Sequence, residues 1–467
     1  MTLFLAWKSC FYILLIHPHQ PRVWIKLNSD NYSLAQIKIE PKVWPSDFSV
    51  IKPEIEKELK IDVDILHYTD LKIERLFKEI KAIHIVESSH LKPENPDGIW
   101  CDRHTLNQIS FENLEHKSLI NSYLVELETG NVSKLRPPWG QSGWYNQASN
   151  WIKQELDRIG AKQLAPVEYV KSWSISCVLR VETSIGNLYL KQASTLPLFC
   201  DEPVVTNELA KLFPNHIPQV ISINREHSWL LLQDFGKPLG NQVSIQTKQK
   251  VYRLLAQIQI QSIKYCDGLL NIGCLDRRLN HLQLQIDPLM DYAATQCDLS
   301  TSQIEKLYKL APYLKSLCSQ LENYNIPQTL VHGDLHLHNV ALNNGNYLLF
   351  DWTDACITHP FFDLFELFFP TRNHTWRASL QSLWRQPILR WLQNTYLSQW
   401  IEYESASRLL EAWNIARPLC ALHHAVTYQH IMINLEPRSK NEFTHALPPF
   451  LREIIKSVSK LQKSPRI

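Results

Sequence analysis

Residues 331–352 constrain what this chain can fold into more than any other stretch. They read VHGDLHLHN, then VALNNGNYLLF, then DW. An apolar lead-in, Thr329 to Val331, delivers His332-Gly333-Asp334 into a polar loop, and an alternating strand pattern resumes at Val340, Ala341 and Leu342. Asn343 to Asn346 make a turn, since Asn-Gly between two apolar runs is a strong hairpin signal. The return strand Tyr347 to Phe350 ends on an acid, Asp351. Turn length decides what faces what. A three-residue loop at 344–346 sets Asn339 opposite Asp351, whereas a two-residue turn sets it opposite Phe350 and leaves Asp351 on the other face. The longer loop is expected, because it brings the two polar groups together.

Asp334, Asn339 and Asp351 are the set that phosphoryl transfer from a metal-bound nucleotide to a hydroxyl requires. Asp334 would orient the attacking hydroxyl and accept its proton, while Asn339 and Asp351 offer hard oxygen ligands to Mg²⁺. The order Asp-Leu-x-x-x-Asn, then a strand and a second Asp, is that of the protein-kinase catalytic loop, with Asp351-Trp352-Thr353 where Asp-Phe-Gly would stand. His332 is expected to brace this loop by hydrogen bonding and is grouped with Asp334 as catalytic, and His336 and His338 flank the phosphates or solvent. A zinc site among the three histidines competes with this reading, but no further ligand stands at recognisable zinc spacing.

The form HGDLHxxN followed by DW resembles the aminoglycoside phosphotransferase and choline kinase-like family. The resemblance spans roughly residues 165–435. It implies an α+β chain with a protein-kinase-like bilobal domain, a small five-stranded lobe and a large helical lobe. The implied activity is ATP- and Mg²⁺-dependent transfer of the γ-phosphate to a hydroxyl of a small molecule. The family's Pro-x-x-Asp-Leu is matched at Pro360 to Leu364, where Asp363 is expected to hold the catalytic loop by hydrogen bonds or to cap a helix.

At 467 residues the chain is longer than one ordinary core supports, so two or three domains are expected. Hydrophobic residues at 45% and charged residues at 20% describe a folded soluble protein, and a net charge of +2 gives no electrostatic case for a nucleic-acid partner. The ten cysteines are scattered without CxxC pairs, which suits reduced thiols and a cytoplasmic location. The apolar run Phe11 to Ile16 lacks a small-residue cleavage site and reads as a strand, and no later run reaches membrane-spanning length. The sequence assigns no oligomeric state.

Three segments follow along the chain. Residues 1–136 alternate strand-like runs (Tyr12–Ile16, Val23–Leu27, Ile83–Val86, Ser122–Leu127) with a helical stretch, Glu54–Leu59, and read as a small α+β module. The order weakly resembles a Nudix-like domain. However, Gly98 is the first glycine and the Nudix box is missing, so no hydrolytic site is expected there. Two prolines at Leu135 to Gly140 predict an extended linker.

Residues 137–236 read as the small nucleotide-binding lobe. Ala148, Trp151, Ile152, Leu156 and Ile159 predict a helix ended by Gly160. Strands are expected at Val167–Val170, Cys177–Val181, Leu188–Leu190, Pro218–Ile223 and Trp229–Gln233. The resemblance makes Lys191 a contact to the nucleotide phosphates, with Glu208 on the next helix as its partner and Glu202 as the fallback. Where kinases place glycines over the phosphates, this chain has Trp173-Ser174-Ile175-Ser176-Cys177. Backbone amides and the hydroxyls of Ser174 and Ser176 are the expected substitutes. The missing glycines motivate the alternative of a catalytically weak or inactive nucleotide-binding regulatory protein. Gln233 to Gly236 would be the hinge, with Gln233 and Phe235 at the adenine edge.

Residues 237–467 read as the helical large lobe, with helices over Thr247–Ile263 and Ser300–Tyr324, the latter opened by a Ser300/Gln303 capping box. Trp384, Trp391, Leu392, Trp400 and Trp413 are expected in the core, and the basic tail Lys456 to Arg466 is expected to be solvated or frayed.

Overall fold

The computed structural model describes residues 6–28, 31–88, 97–240, 242–370 and 378–463. The side chain of Trp384 and the residues after 463, Arg466 among them, lie outside the described residues. The chain divides into two compact units, residues 1–194 with 434–442, and residues 195–433 with 443–467. It is a mixed α+β chain, sheet-rich in the first unit and mostly helical in the second. The expected boundary at Pro137 lies inside the first unit.

The first unit opens with β1 (Lys8–Ile16), β2 (Val23–Asn28), β3 (Asn31–Ser33), β4 (Ala35–Ile39), α1 (Phe48–Leu59), β5 (Asp64–Glu74), β6 (Glu79–Glu87), β7 (Gly98–Cys101), α2 (Arg103–Gln108) and α3 (Leu114–Thr129). The strands form one sheet in the order β3-β2-β1-β6-β5, with β4 paired to β1 and β7 to β2. Only β1 and β6 run parallel among these pairs. Alternation along β6 divides its residues between the two faces. Ile83 and Ile85 pack with Leu119, Ile120 and Leu124 of α3, while His84 meets Phe48 of α1 edge-on.

Two expectations fail here. Ser122–Leu127 is part of α3 rather than a strand, because the apolar positions Leu119, Ile120, Tyr123 and Leu124 follow helical spacing once the window is widened. The Asn113 side chain caps that helix and Gly130 ends it with φ +67°. The prolines do not give an open linker either. Pro137 is extended, but Pro138 begins a 3₁₀ turn through Gly140, since proline is tolerated at a first helical position. Trp139 is buried there and its indole N–H donates to the Trp173 carbonyl at 2.9 Å.

The rest of the first unit is α4 (Trp144–Ile159), closed by Gly160 as expected, and the antiparallel strands β8 (Glu168–Ser172), β9 (Ser176–Thr183) and β10 (Gly186–Ala193). Phe48 meets Tyr169 edge-on at 5.6 Å between ring centroids, and the Ser172 amide donates to the Ser46 carbonyl at 3.0 Å. Residues before and after the prolines therefore share one packed body.

The second unit begins with α5 (Glu202–Leu212) and the hairpin β11 (Val220–Asn224) and β12 (Trp229–Gln233). All five strands expected between residues 165 and 236 are present. Next come α6 (Ile245–Ser262), α7 (Cys266–Asn271), β13 (Leu275–Asp276), α8 (Leu279–Leu284), α9 (Ile286–Gln296) and α10 (Thr301–Leu321), whose Ser300/Gln303 capping box is formed. β14 (Thr329–Val331) precedes the hairpin β15 (Val340–Asn343) and β16 (Asn346–Leu349), and β17 (Cys356–Thr358) lies between β13 and β14. Helices α11 (Phe365–Phe368), α12 (Ala378–Leu397), α13 (Ala406–Ile433) and α14 (Leu447–Lys463) complete the unit.

Leu392, Trp400 and Trp413 are buried as expected, whereas Trp391 is 40% exposed. The basic tail is not frayed up to Lys463, because α14 buries Val458 and Leu451 against the same core.

The β15–β16 register also corrects the expectation. Val340 pairs with Leu349 and Asn343 with Asn346, so the turn has two residues, Asn344 and Gly345, and Asn339 stands opposite Phe350. Both turn residues have positive φ, +49° and +82°, the conformation that matches strand twist in a two-residue hairpin. Asp351 leaves the strand with φ +68°, so strand alternation no longer dictates where its side chain points.

Nothing surrounds the position where a Cβ on Gly345 would sit, so Gly345→Ala should lose only the conformational term, about 1 kcal/mol. Gly333, at φ +84°, is different: a Cβ there would lie 2.4 Å from the Asp354 carbonyl oxygen. Gly333→Ala should lose about 3 kcal/mol or more, read as a urea-midpoint shift far larger than that of Gly345→Ala.

Candidate active site

The loop after β14 is fixed from beneath by one buried side chain. Asp363 is 2% exposed and sits in the 3₁₀ turn Pro360–Leu364. Its Oδ2 accepts from the His332 amide at 3.0 Å and its Oδ1 from the Gly333 amide at 2.9 Å. Gln259 of α6 donates to Oδ2 at 3.0 Å and to the Pro360 carbonyl at 3.0 Å. Burial pushes the Asp363 carboxyl up to about 7 against the pull of these donors. The first expectation for Asp363 holds, and the second does not: α11 is preceded by Leu364 and has no side-chain cap.

His332 is fully enclosed and both ring nitrogens are engaged. Nε2 lies 2.9 Å from the Phe350 carbonyl, and Nδ1 accepts from the Asp334 amide at 3.4 Å, which fixes the neutral tautomer with the proton on Nε2. Burial holds its pKa below the usual histidine range. The ring packs on Trp352 at 4.6 Å between centroids. His332 thus ties the loop to the far end of the hairpin and has no nitrogen left for proton transfer.

The three polar groups sit around this frame. Asp334 is half-exposed and its Oδ2 lies 3.5 Å from His336 Nε2. Burial pulls the His336 pKa down, but the hydrogen bond and charge of Asp334, joined by Glu366, together outweigh it and the pKa rises. Asn339 is buried, and its amide donates to the Asp334 carbonyl at 3.0 Å, which leaves its own Oδ1 to accept or to ligate. The Phe350 amide donates to the Asn339 carbonyl at 3.1 Å, so Asp351 follows the residue directly opposite Asn339. One exposed carboxylate and one amide oxygen are hard donors that suit a divalent cation already carrying phosphate and water oxygens.

Residues 253–403, which contain this loop, match the model of the phosphotransferase enzyme family. The chain resembles that family. Similar solved structures include a macrolide 2′-phosphotransferase from Brachybacterium faecium, 12% identical with a TM-score of 0.44, covering 65% of this chain and 98% of that one. A choline/ethanolamine kinase family protein from Mesorhizobium loti is 13% identical with a TM-score of 0.44, covering 68% and 95%. The choline kinase of Streptococcus pneumoniae is 12% identical with a TM-score of 0.42, covering 68% and 100%. A comparison with curated proteins gives no match. No helix among the described residues is long and apolar enough to cross a membrane.

A second polar cluster gathers around Asp351. Helix α5 starts at Glu202, with Pro203 in its first turn. Glu208 therefore falls late in the helix, where it pairs with Lys211 at 2.9 Å on the surface. Glu202 is the buried carboxylate, 3% exposed. The Thr353 hydroxyl lies 2.9 Å from Glu202 Oε2 and 3.1 Å from Asp351 Oδ1, and its single proton serves one of them at a time. Thr353 stands where kinases have glycine, so no motif signals its role.

The expected hinge is tied to the β15–β16 hairpin. Beyond β12, Gly236 turns at φ +89° with its amide on Asp234 Oδ1 at 2.8 Å. The Leu239 amide donates to the Val340 carbonyl at 2.8 Å, and Phe235 packs on Phe350 at 4.7 Å between centroids. Gln233 and Phe235 are each partly buried at this edge. In the first unit, Lys191 lies near the end of β10 and is 9% exposed. Ser176 Oγ accepts from the Trp173 indole at 2.6 Å. Ser174 is engaged more fully, with both its amide and its hydroxyl donating to Glu442.

Asp363→Asn keeps the shape but sets an NH₂ against one of two buried amides, which should cost about 2 kcal/mol. The titration has a definite sign. The folded carboxyl holds its proton up to about pH 7, while the unfolded chain releases it near 3.8. This group's contribution is therefore fully present below about pH 4 and lost as pH rises through 7. Thermal unfolding of wild type and Asp363→Asn across pH 4–8 should show a slope in the first that is flatter in the second.

Proposed function

We propose that this chain transfers the γ-phosphate of ATP to a hydroxyl of a small molecule. The observation that carries the reading is the loop itself. A half-exposed carboxylate, Asp334, projects from a backbone whose two preceding amides are held by buried Asp363, with Asn339 anchored to the Asp334 carbonyl and Asp351 at the hairpin's end. A carboxylate so mounted keeps its position as charge builds, which is what orientation of an attacking hydroxyl demands. Asp334 would take the hydroxyl proton as the bond to phosphorus forms. Asn339 and Asp351 are the residues that would hold Mg²⁺, which when bound neutralises phosphate charge. Lys191 remains the proposed phosphate contact, and the backbone at Gln233 to Phe235 the proposed adenine edge. Glu202 replaces Glu208 as the buried acid of the nucleotide-side machinery, since Glu208 is spent on the surface.

A second reading keeps nucleotide binding and drops efficient turnover. The engagement of Ser174 by Glu442 favours it, because those donors are the expected substitutes for the missing glycines.

Phosphate transfer from radiolabelled ATP against a panel of hydroxyl compounds separates the two. Under the first reading Asp334→Asn should lower kcat by about 10²-fold or more while leaving ATP affinity nearly intact. Undiminished turnover in that variant would remove Asp334 from its role. Asp351→Ala should abolish Mg²⁺-dependent ATP binding in calorimetry, and Asn339→Ala, which removes no charge, should weaken it less. Equal Mg²⁺ dependence in wild type and Asp351→Ala would refute the ligand assignment.

A further inference from the structure

The tip between β8 and β9 is a two-residue turn, Ser174-Ile175, closed by the Trp173 amide on the Ser176 carbonyl at 3.0 Å. Its two outward donors converge on one carboxylate. The Ser174 amide lies 3.2 Å from Glu442 Oε2 and its hydroxyl 2.7 Å from Glu442 Oε1, a bidentate grip of the kind that backbone and hydroxyl donors give to an oxyanion. Glu442 reaches this tip from residues 434–442, the stretch between α13 and α14 that belongs to the first unit.

Burying an acid at 442 carries a cost. Glu442 as a residue is only partly buried, but its carboxyl end lies deep, and burial pushes the carboxyl up to about 7 despite the Ser174 donors and a hydrogen bond from Tyr68. A buried carboxylate is held at a free-energy cost that a neutral side chain of the same shape would avoid. The tip is also fastened without it, since the Ser194 amide donates to the Ile175 carbonyl at 2.9 Å. What Glu442 adds is occupancy of an anion cradle by a charge belonging to the chain.

The cradle has no room for two. A cavity of about 10 Å³ adjoins the pair, lined by His67, Tyr68, Trp173, Ser174, Glu436 and Glu442. That is space for about one water, far short of a phosphate group. An incoming oxyanion must therefore displace the carboxylate, and it meets the like charge of Glu442 until it does, while Glu436 beside the cavity is neutralised by Arg136 at 2.7 Å.

We propose that Glu442 is an internal latch: its carboxylate fills the Ser174 anion cradle at the β8–β9 tip, and a phosphate-bearing ligand gains that cradle only by displacing it. The inference rests on the reading of this tip as the nucleotide's phosphate cover, and deepens it by assigning the contact that restrains it.

The test uses the full chain and inorganic tripolyphosphate as probe, with wild type, Glu442→Gln, Glu442→Ala and the double variant Glu442→Gln/Ser174→Ala. Gln keeps the shape, so a misfolded Ala variant would not spoil the comparison. Calorimetry should show Glu442→Gln binding tripolyphosphate more tightly than wild type by about 10-fold or more, the scale of one released charge-assisted hydrogen bond. Adding Ser174→Ala should erase the gain. Hydrogen exchange at the Ser174 amide should speed up in both Glu442 variants and slow again with tripolyphosphate. Unchanged or weaker binding in Glu442→Gln overturns the latch, as does a gain that survives Ser174→Ala. Failure of the phosphotransfer reading is separable: if the tripolyphosphate results hold but ATP is neither bound nor turned over, the latch stands and that reading falls.

Discussion

The second unit's polar chemistry depends on one carboxylate receiving two consecutive amides. Backbone N–H groups at the start of a loop have no partner in a strand or helix, and burying them unpaired is costly. Asp363 satisfies those of His332 and Gly333 together and is itself oriented by Gln259. Gln259 is in turn fixed by Tyr396, whose hydroxyl donates to its carbonyl oxygen at 2.5 Å. Helices α6 and α12 and the turn after β17 thus converge on two peptide groups. This explains how Asp334 stands half-exposed yet fixed: the backbone behind it is held, and its own side chain adds only the 3.5 Å contact with His336.

That anchor also makes sense of the glycine between the two histidine-loop neighbours. Gly333 adopts positive φ so that successive amides point at one carboxylate, and its missing Cβ lets the Asp354 carbonyl approach. The same loop gives His332 two duties that leave no lone pair for catalysis. A histidine in a catalytic motif is easily taken for a proton carrier. Here the hydrogen-bond inventory excludes it, because a neutral imidazole has one donor and one acceptor and both are used.

Much of this was legible because the signals were local. Asn-Gly marked the hairpin, Ser300 and Gln303 marked a helix start, Gly160 a helix end, and the spacing of Asp334, Asn339 and Asp351 marked the candidate site. The failures came where a local rule was applied one step too rigidly. A pairing of Asn339 with Asp351 favours the longer loop, but Asn344 and Gly345 both accept positive φ and so permit the shorter turn. Asp351 then escapes strand alternation by its own left-handed backbone. Ser122–Leu127 reads as a strand in a six-residue window, where helix and strand periods are hard to separate.

What no local reading supplies is the origin of a long-range partner. Glu442 lies 268 positions from Ser174, in a stretch with no motif, and nothing in the tip Trp173 to Cys177 announces that a distant carboxylate will meet it. The composition of the tip is nevertheless informative in hindsight. Glycine at such a turn offers only a mobile amide, whereas serine offers an amide and a hydroxyl on a stiffer backbone, two donors that stay paired with whatever anion is nearest. Where that anion is part of the chain, the exchange of glycine for serine turns an open cradle into an occupied one. The absence of glycine and the presence of Glu442 are then two halves of a single physical arrangement rather than a defect and an accident.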